Sequence, residues 1–264
     1  MKKYFMIAKI TWEEMFTYRI NFIMWRIRWI LGLLMIYFLW LSVLPKNTVF
    51  FGYNQSLMLT YILGTSLISS IVTSSKTNAV GDEINQGNLS NFLIRPINYF
   101  KYWFARDVGD KSMNIIFCVF ELTILFFILH PPVFIQTNFY FLFLMFVSIL
   151  IALILFFFVN FLLGLIGFWS PEVWAPRFVF YIILNFFAGS LFPLDILPKQ
   201  IFSIIQFSPF TYLLFFPLKI YLGQLNIIEI YKGLLISFAW TVFFYYALRY
   251  TWKIGLKGYT AQGK

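Results

Sequence analysis

Residues 139–163 read FYFLFLMFVSILIALILFFFVNFLL, without one charged side chain. A helix needs about 20 apolar residues, at a rise of about 1.5 Å each, to cross the roughly 30 Å hydrocarbon core of a bilayer. This stretch is long enough. Its apolar residues are continuous rather than alternating, which argues against a barrel strand. The whole composition agrees: of 264 residues, 61% are hydrophobic, 23% aromatic and only 11% charged, where a soluble domain carries roughly 25% charged residues. Too little polar surface exists to wrap such a core in water. The expected class is an all-α integral membrane protein, one domain over residues 1–264.

Five further runs are long enough to cross. They lie at about 27–44, ending at Pro45; about 55–74, inside the uncharged stretch from Asn47 to Ser75; about 112–130, interrupted by Glu121; about 177–194; and about 231–250. Together with 139–163 they make six expected transmembrane helices. Gln200 to Leu218 is also uncharged, but it contains Pro209 and Pro217 and follows Pro193 and Pro198. Proline removes a backbone donor and breaks helices, so a re-entrant or surface segment is expected at about 195–220.

Basic residues support this count, because they concentrate on the cytoplasmic side. With six crossings, Lys2, Lys3, Lys9, Arg19, Arg26, Arg28, Lys76, Arg95, Lys101, Arg106, Lys111, Arg177, Arg249, Lys253, Lys257 and Lys264 are all cytoplasmic. Lys46, Lys199, Lys219 and Lys232 remain outside. A seventh crossing would move the basic C-terminus outside. Both termini are therefore expected in the cytoplasm of a bacterial cell. The net charge of +10 is read as headgroup contact, not nucleic-acid binding.

Before the first run, residues 2–19 read as a helix lying on the membrane. Tyr4, Phe5, Ala8, Trp12, Met15 and Phe16 share one side, and Lys2, Lys3, Lys9, Glu13, Glu14 and Thr17 the other. Cys118 is the only cysteine, so no internal disulfide is possible. His130 is the only histidine, and neither a Gly-x-Ser-x-Gly nor an HExxH motif occurs. No metal site or catalytic residue is expected. No Gly-x-x-x-x-Gly-Lys-Ser/Thr loop occurs either, so this chain does not itself cradle ATP phosphates. Glu121, near the middle of an apolar run, is a candidate contact for a cationic substrate or a proton, or a carboxyl hydrogen-bonded between helices, because a carboxylate at that depth normally faces protein or water.

The longest polar connection runs from Ser74 to Lys111 and contains Gly81-Asp82-Glu83-Ile84-Asn85-Gln86-Gly87-Asn88-Leu89-Ser90-Asn91-Phe92-Leu93-Ile94-Arg95-Pro96. Asp82 and Glu83 suit a helix N-terminal turn. Ile84, Leu89, Phe92 and Leu93 offer a narrow apolar face, and Pro96 would stop the helix. A short amphipathic helix of this kind can dock in a partner's groove. A second unusual stretch is Gly189-Ser190-Leu191-Phe192-Pro193-Leu194-Asp195-Ile196-Leu197-Pro198, leading to Pro209 and then Tyr221-Leu222-Gly223.

The acidic-Ile-x-x-Gly-x-Leu pattern followed by Leu-x-Arg-Pro resembles the cytoplasmic loop of ABC-2 type transporter permeases, in the branch with a separate ATPase and often two permeases. The stretch from Gly189 is similar to that family's segment after the fifth span. The resemblance implies that two permease chains, identical or homologous, pair in the membrane. It implies two copies of an ATP-binding subunit, which bind the ATP and Mg that this chain does not. The ATPase-coupling role would fall on Gly81, Asp82, Glu83, Ile84, Gly87, Leu89, Phe92, Leu93, Arg95 and Pro96, as a coupling helix between spans two and three. The outer-gate role would fall on Gly189, Phe192, Pro193, Pro198 and Pro209. Asn88-Leu89-Ser90-Asn91 is more polar than the equivalent stretch in many relatives. The resemblance implies a non-enzymatic exporter subunit; its substrate is unidentified, and an amphipathic or cationic, drug-like molecule is the expectation. The alternatives are a membrane-embedded lipid-modifying enzyme, which the ten scattered acidic residues fit poorly, and a channel. Thr60, Thr65, Ser66, Ser69, Ser70 and Thr73 in the second run would suit a channel, but serve helix packing equally.

Overall fold

The computed structural model describes residues 2–45 and 48–260. Lys46 and Lys264, assigned above to opposite sides of the bilayer, and Asn47 lie outside the described residues. In chain order the helices are α1 (Lys2–Thr17), α2 (Arg19–Val43), α3 (Gln55–Val72), α4 (Val80–Asn85), α5 (Ser90–Leu93), α6 (Tyr99–Leu129), α7 (Phe139–Gly164), α8 (Trp174–Phe187), α9 (Lys199–Ile205), α10 (Phe215–Tyr221) and α11 (Ile227–Lys257). Among the described residues, five helices are long and apolar enough to cross a membrane: α2, α3, α6, α7 with its 3-10 extension, and α11.

Three of these outrun the expected limits. α2 begins at Arg19 rather than 27, α6 at Tyr99 rather than 112, and α11 reaches Lys257 rather than 250. In α2 and α6 the charged residues that read as boundaries are neutralised in the fold. Arg26 clamps the Glu121 carboxylate of α6 with two guanidinium nitrogens, Nε at 2.7 Å. Arg106 of α6 pairs with Glu14 of α1.

The bundle has two distinguishable ends. The loop end holds residues 73–98 and the C-termini of α3, α7 and α11. There Lys111 Nζ donates to the Val72 carbonyl at 2.9 Å, and Tyr99 stacks on Trp252 of α11 at 5.2 Å. The far end holds Tyr53, Asp195, Lys219 and the extended run 131–138, where Gln136 Nε2 donates to the Tyr221 carbonyl at 2.9 Å. α3 is packed between α2, α6 and α7. Its hydroxyls bond mostly to its own carbonyls, as Thr65 does to Ile62 at 2.7 Å, while Thr60 also accepts from the Phe134 amide at 2.7 Å.

The run 177–194 is not one helix. α8 has 14 residues, about 21 Å of helix, too short to cross alone. It ends at Gly189, whose φ of +76° glycine adopts without steric cost. The chain then continues in turns to Asp195. Arg177 near the start of α8 donates to the Thr77 and Asn78 carbonyls at the loop end. Asp195 meets Lys219 at the far end, at 2.7 Å. Helix and turns together therefore carry the chain from one end to the other.

Residues 195–221 form short pieces. Asp195 and Lys219 touch, whereas a crossing between them would part them by about 30 Å. The segment leaves and returns at the same end. α10 is buried from Phe215 to Ile220 against α7.

α1 is helical as expected, but it packs on the start of α6. Thr11 and Met15 are buried, and Trp12 Nε1 donates to Ser112 Oγ at 2.9 Å. Phe5 and Phe16, from the same expected apolar face, stay exposed.

Candidate functional site

The loop segment is broken, not a single helix from Gly81 to Pro96. A 3-10 turn, Lys76–Ala79, runs into α4. The chain then turns at Gly87, φ +76°, a left-handed conformation that favours glycine. α5 follows. Asp82 and Glu83 do lie in the first turn of α4.

The inner half of the segment is core. Val80, Ile84 and Leu89 are buried with Tyr99, Trp103, Phe161, Phe168 and Leu248. α4 meets the 3-10 turn Leu165–Phe168 backbone to backbone. A Cβ on Gly167 would sit 2.6 Å from the Gly81 carbonyl oxygen, and one on Gly81 would sit 2.7 Å from Val173 Cγ1. Only hydrogen fits at either position. Glu83 turns inward and accepts a hydrogen bond from the Tyr99 hydroxyl. Burial holds its carboxyl above the usual carboxylate range, against the opposing pull of that hydrogen bond.

The outer half is presented to the outside. Asp82, Leu93, Ile94, Arg95 and Pro96 are exposed, Ile94 by 83%. Phe92 is half-buried, its ring 4.7 Å from that of Tyr102. The single apolar face expected from the sequence thus divides. Ile84 and Leu89 anchor the loop, and Leu93 points outward beside Ile94. Ile94 was not among the expected residues. Its signal was present, an apolar side chain directly before Arg95-Pro96, but a helical face drawn through Pro96 left it unassigned.

Beneath the loop lies a buried polar layer. Lys111 of α6 closes the last carbonyls of α3 by donating to Val72 and Ser74. Its ammonium lies 3.3 Å from the fully buried carboxylate of Asp107, which also accepts from Ser75 Oγ. Asn160 of α7 donates to Thr77 Oγ1 at 2.6 Å and Asn78 Oδ1 at 3.1 Å. Arg177 of α8 holds the carbonyls of the same two residues. Residues 72–78 are therefore tied to α6, α7 and α8. In the sequence Lys111 and Arg177 counted only as positive charge, and Thr77, Asn78 and Asn160 carried no signal, since their partners lie more than 80 residues away.

At the far end, long-range hydrogen bonds pin the stretch after α8. Tyr61 hydroxyl donates to the Gly189 carbonyl at 2.6 Å, and Trp40 Nε1 to the Leu191 carbonyl at 3.0 Å. Tyr53 hydroxyl donates to Asp195 Oδ1 at 3.0 Å. Lys219 Nζ donates to Asp195 Oδ2 at 2.7 Å and to Gln224 Oε1 at 2.6 Å, and lies 5.1 Å from the Tyr53 ring centre. Burial, then the neighbouring Asp195 charge, pushes the Tyr53 hydroxyl far above its ordinary pKa, so it remains a donor. Of the expected outer residues, Gly189 and Pro193 are buried in this cluster. Phe192 lies against Phe186 at 5.5 Å. Pro198 is exposed before α9, and Pro209 opens a separate 3-10 turn. Tyr53, Tyr61, Trp40 and Lys219 were not expected there.

Glu121 sits apart from both ends. Arg26 occupies both its oxygens and also reaches Asn114 Oδ1 at 3.3 Å. The guanidinium lies 4.9 Å from the Trp29 ring centre.

An all-helical bundle with several long apolar helices defines a multi-pass membrane protein. The model of the family described as "ABC-2 family transporter protein" matches residues 30–263, nearly the whole chain, and the protein belongs to that family. No curated protein matches it.

Proposed function

We propose that this chain is the permease subunit of an ATP-driven exporter in a bacterial cell membrane, powered by ATP-binding subunits on separate chains. The observation that carries this reading is the divided loop at 76–98. Its inner half is locked to α3, α6, α7 and α8, and its outer half presents Leu93 and Ile94 beside Arg95. A rigid loop with an exposed apolar tip is suited to receive a push from a partner and pass it to the bundle. With no P-loop in the sequence, this reading assigns ATP and Mg to that partner.

In this reading the chain crosses the bilayer six times, with α8 and the turns to Asp195 as the fifth crossing. The loop and both termini are cytoplasmic, and residues 195–221 fold back from the outer face as part of an outer gate. Two ATP-binding subunits serve two permease chains, identical or homologous. The substrate is amphipathic or cationic, and a cation reaching Glu121 must compete with Arg26 for its carboxylate.

The test is purification of the tagged full-length chain from its native membrane in mild detergent, followed by an assay for vanadate-sensitive ATP hydrolysis. A co-purified P-loop ATPase is expected. A chain that retains its helical content but brings down no ATPase contradicts the reading.

A further inference from the structure

Where α1 crosses the first turns of α6, a groove of about 470 Å³ opens on the outer surface. Tyr4, Phe5 and Ala8 form its α1 wall, and Phe104, Ala105 and Val108 its α6 floor. Phe5, Phe104 and Val108 are 76%, 40% and 43% exposed, so the apolar floor is open to what surrounds it. The polar component lies at one end. Lys101 lines the groove one turn before Phe104. Lys3 is anchored nearby, with Nζ 3.2 Å from the Pro96 carbonyl and 5.3 Å from the Tyr4 ring centre. Lys3 and Lys101 are exposed and, among the described residues, have no acidic partner.

The stripe continues along α6. At about 100° per residue, Lys101, Phe104, Val108, Ile115 and Val119 fall on one side of the helix, beside Ser112, which bonds Trp12 of α1. Val119 is 49% exposed. From Lys101 to Val119 the stripe rises about 27 Å. It therefore starts on lysines beside the loop end and runs apolar into the part of α6 that is long and hydrophobic enough to cross a membrane. A cation at the end of an exposed apolar track has the charge and the polarity gradient of an anionic phospholipid in reverse.

We infer that this groove binds one anionic phospholipid of the leaflet on the loop side, with its phosphate on Lys101 and Lys3 and an acyl chain against Phe104, Val108 and Ile115. The bound lipid cements α1 to α6 at the level of the loop.

The experiment is native mass spectrometry of the delipidated full-length protein in detergent. It is titrated in parallel with palmitoyl-oleoyl phosphatidylglycerol, with the matching phosphatidylcholine, and with glycerol 3-phosphate. Wild type should retain one phosphatidylglycerol in clear preference to phosphatidylcholine, and no glycerol 3-phosphate. Lys101→Gln and Lys3→Gln should each weaken phosphatidylglycerol retention about fivefold. Val108→Trp, on an exposed position, should fill the groove and abolish retention while circular dichroism keeps the wild-type helical signal. Equal retention of the two lipids, unchanged phosphatidylglycerol retention in the double lysine variant, or retention of glycerol 3-phosphate alone would each overturn the inference. So would loss of lipid on forming a dimer of the chain, which would assign the groove to a second copy.

Discussion

Lys111 and Lys219 are both buried lysines paired with an aspartate, one at each end of the bundle. The Lys111 and Asp107 side chains are 3% and 0% exposed. Those of Lys219 and Asp195 are 8% and 25% exposed. The loop-end pair is sealed beneath the loop and also closes the carbonyls of α3. The far-end pair joins two strands of chain that leave and return together, and its carboxylate still touches the surroundings. Contacts around them follow the same division. The loop end relies on backbone meeting backbone at Gly81 and Gly167, with sealed charges beneath. The far end relies on single donors, from Tyr61, Trp40 and Tyr53, placed on carbonyls and a carboxylate. The first arrangement suits the proposed coupling role, since a displacement would reach several helices together. The second can be undone one bond at a time, which suits the proposed outer gate.

The sharpest break in this comparison is Lys111→Met. It leaves Asp107 buried without its counter-charge, and should cost about 3–5 kcal/mol, read as a large fall in melting temperature in detergent. Gly167→Ala should come next, in the upper part of the range of about 1–3 kcal/mol for overpacking, because the Gly81 carbonyl it meets is backbone and cannot rotate away. Lys219→Met should cost about 2 kcal/mol, the scale of a hydrogen bond to a charged group, and a loss as large as that of Lys111→Met would erase the distinction between the ends. Tyr61→Phe removes one hydrogen bond to Gly189 and should cost about 1 kcal/mol. Accessibility of a cysteine placed at Leu191 should then rise while the loop end is unaffected. Smallest of all, Leu93→Glu with Ile94→Glu should alter stability by no more than about 0.5 kcal/mol per substitution, as surface changes do.

How much of this was legible in sequence follows from range. α3 and α7 lie within two residues of their expected bounds, since polar residues bound the α3 run at both ends and Asn138 and Gly164 bound that of α7. α2 and α6 were read short because Arg26, Arg106 and Lys111 look like boundaries until their partners, Glu121, Glu14 and Asp107, are in place. α8 was read long because Ala188 to Leu194 stays apolar past the helix end, and hydropathy does not distinguish a helix from apolar turns. In the loop, the residues were legible but their roles were not. At 100° per residue Ile84, Leu89, Phe92 and Leu93 spread over about 180°, too broad a face to show that Ile84 and Leu89 are buried and Leu93 is exposed. The far-end cluster was the least legible. Tyr61 and Gly189 are 128 residues apart, and nothing local marks one as the partner of the other.

The division of the loop into an anchored half and a presented half is tested most directly by comparing Leu93→Glu/Ile94→Glu with Ile84→Ala in the complex purified in mild detergent. Both the retained ATPase activity and the melting temperature are recorded. The tip variant should lose the co-purified ATPase at wild-type thermal stability, and Ile84→Ala should melt earlier by the equivalent of about 2–5 kcal/mol. A tip variant that keeps its full complement of ATPase would contradict the account.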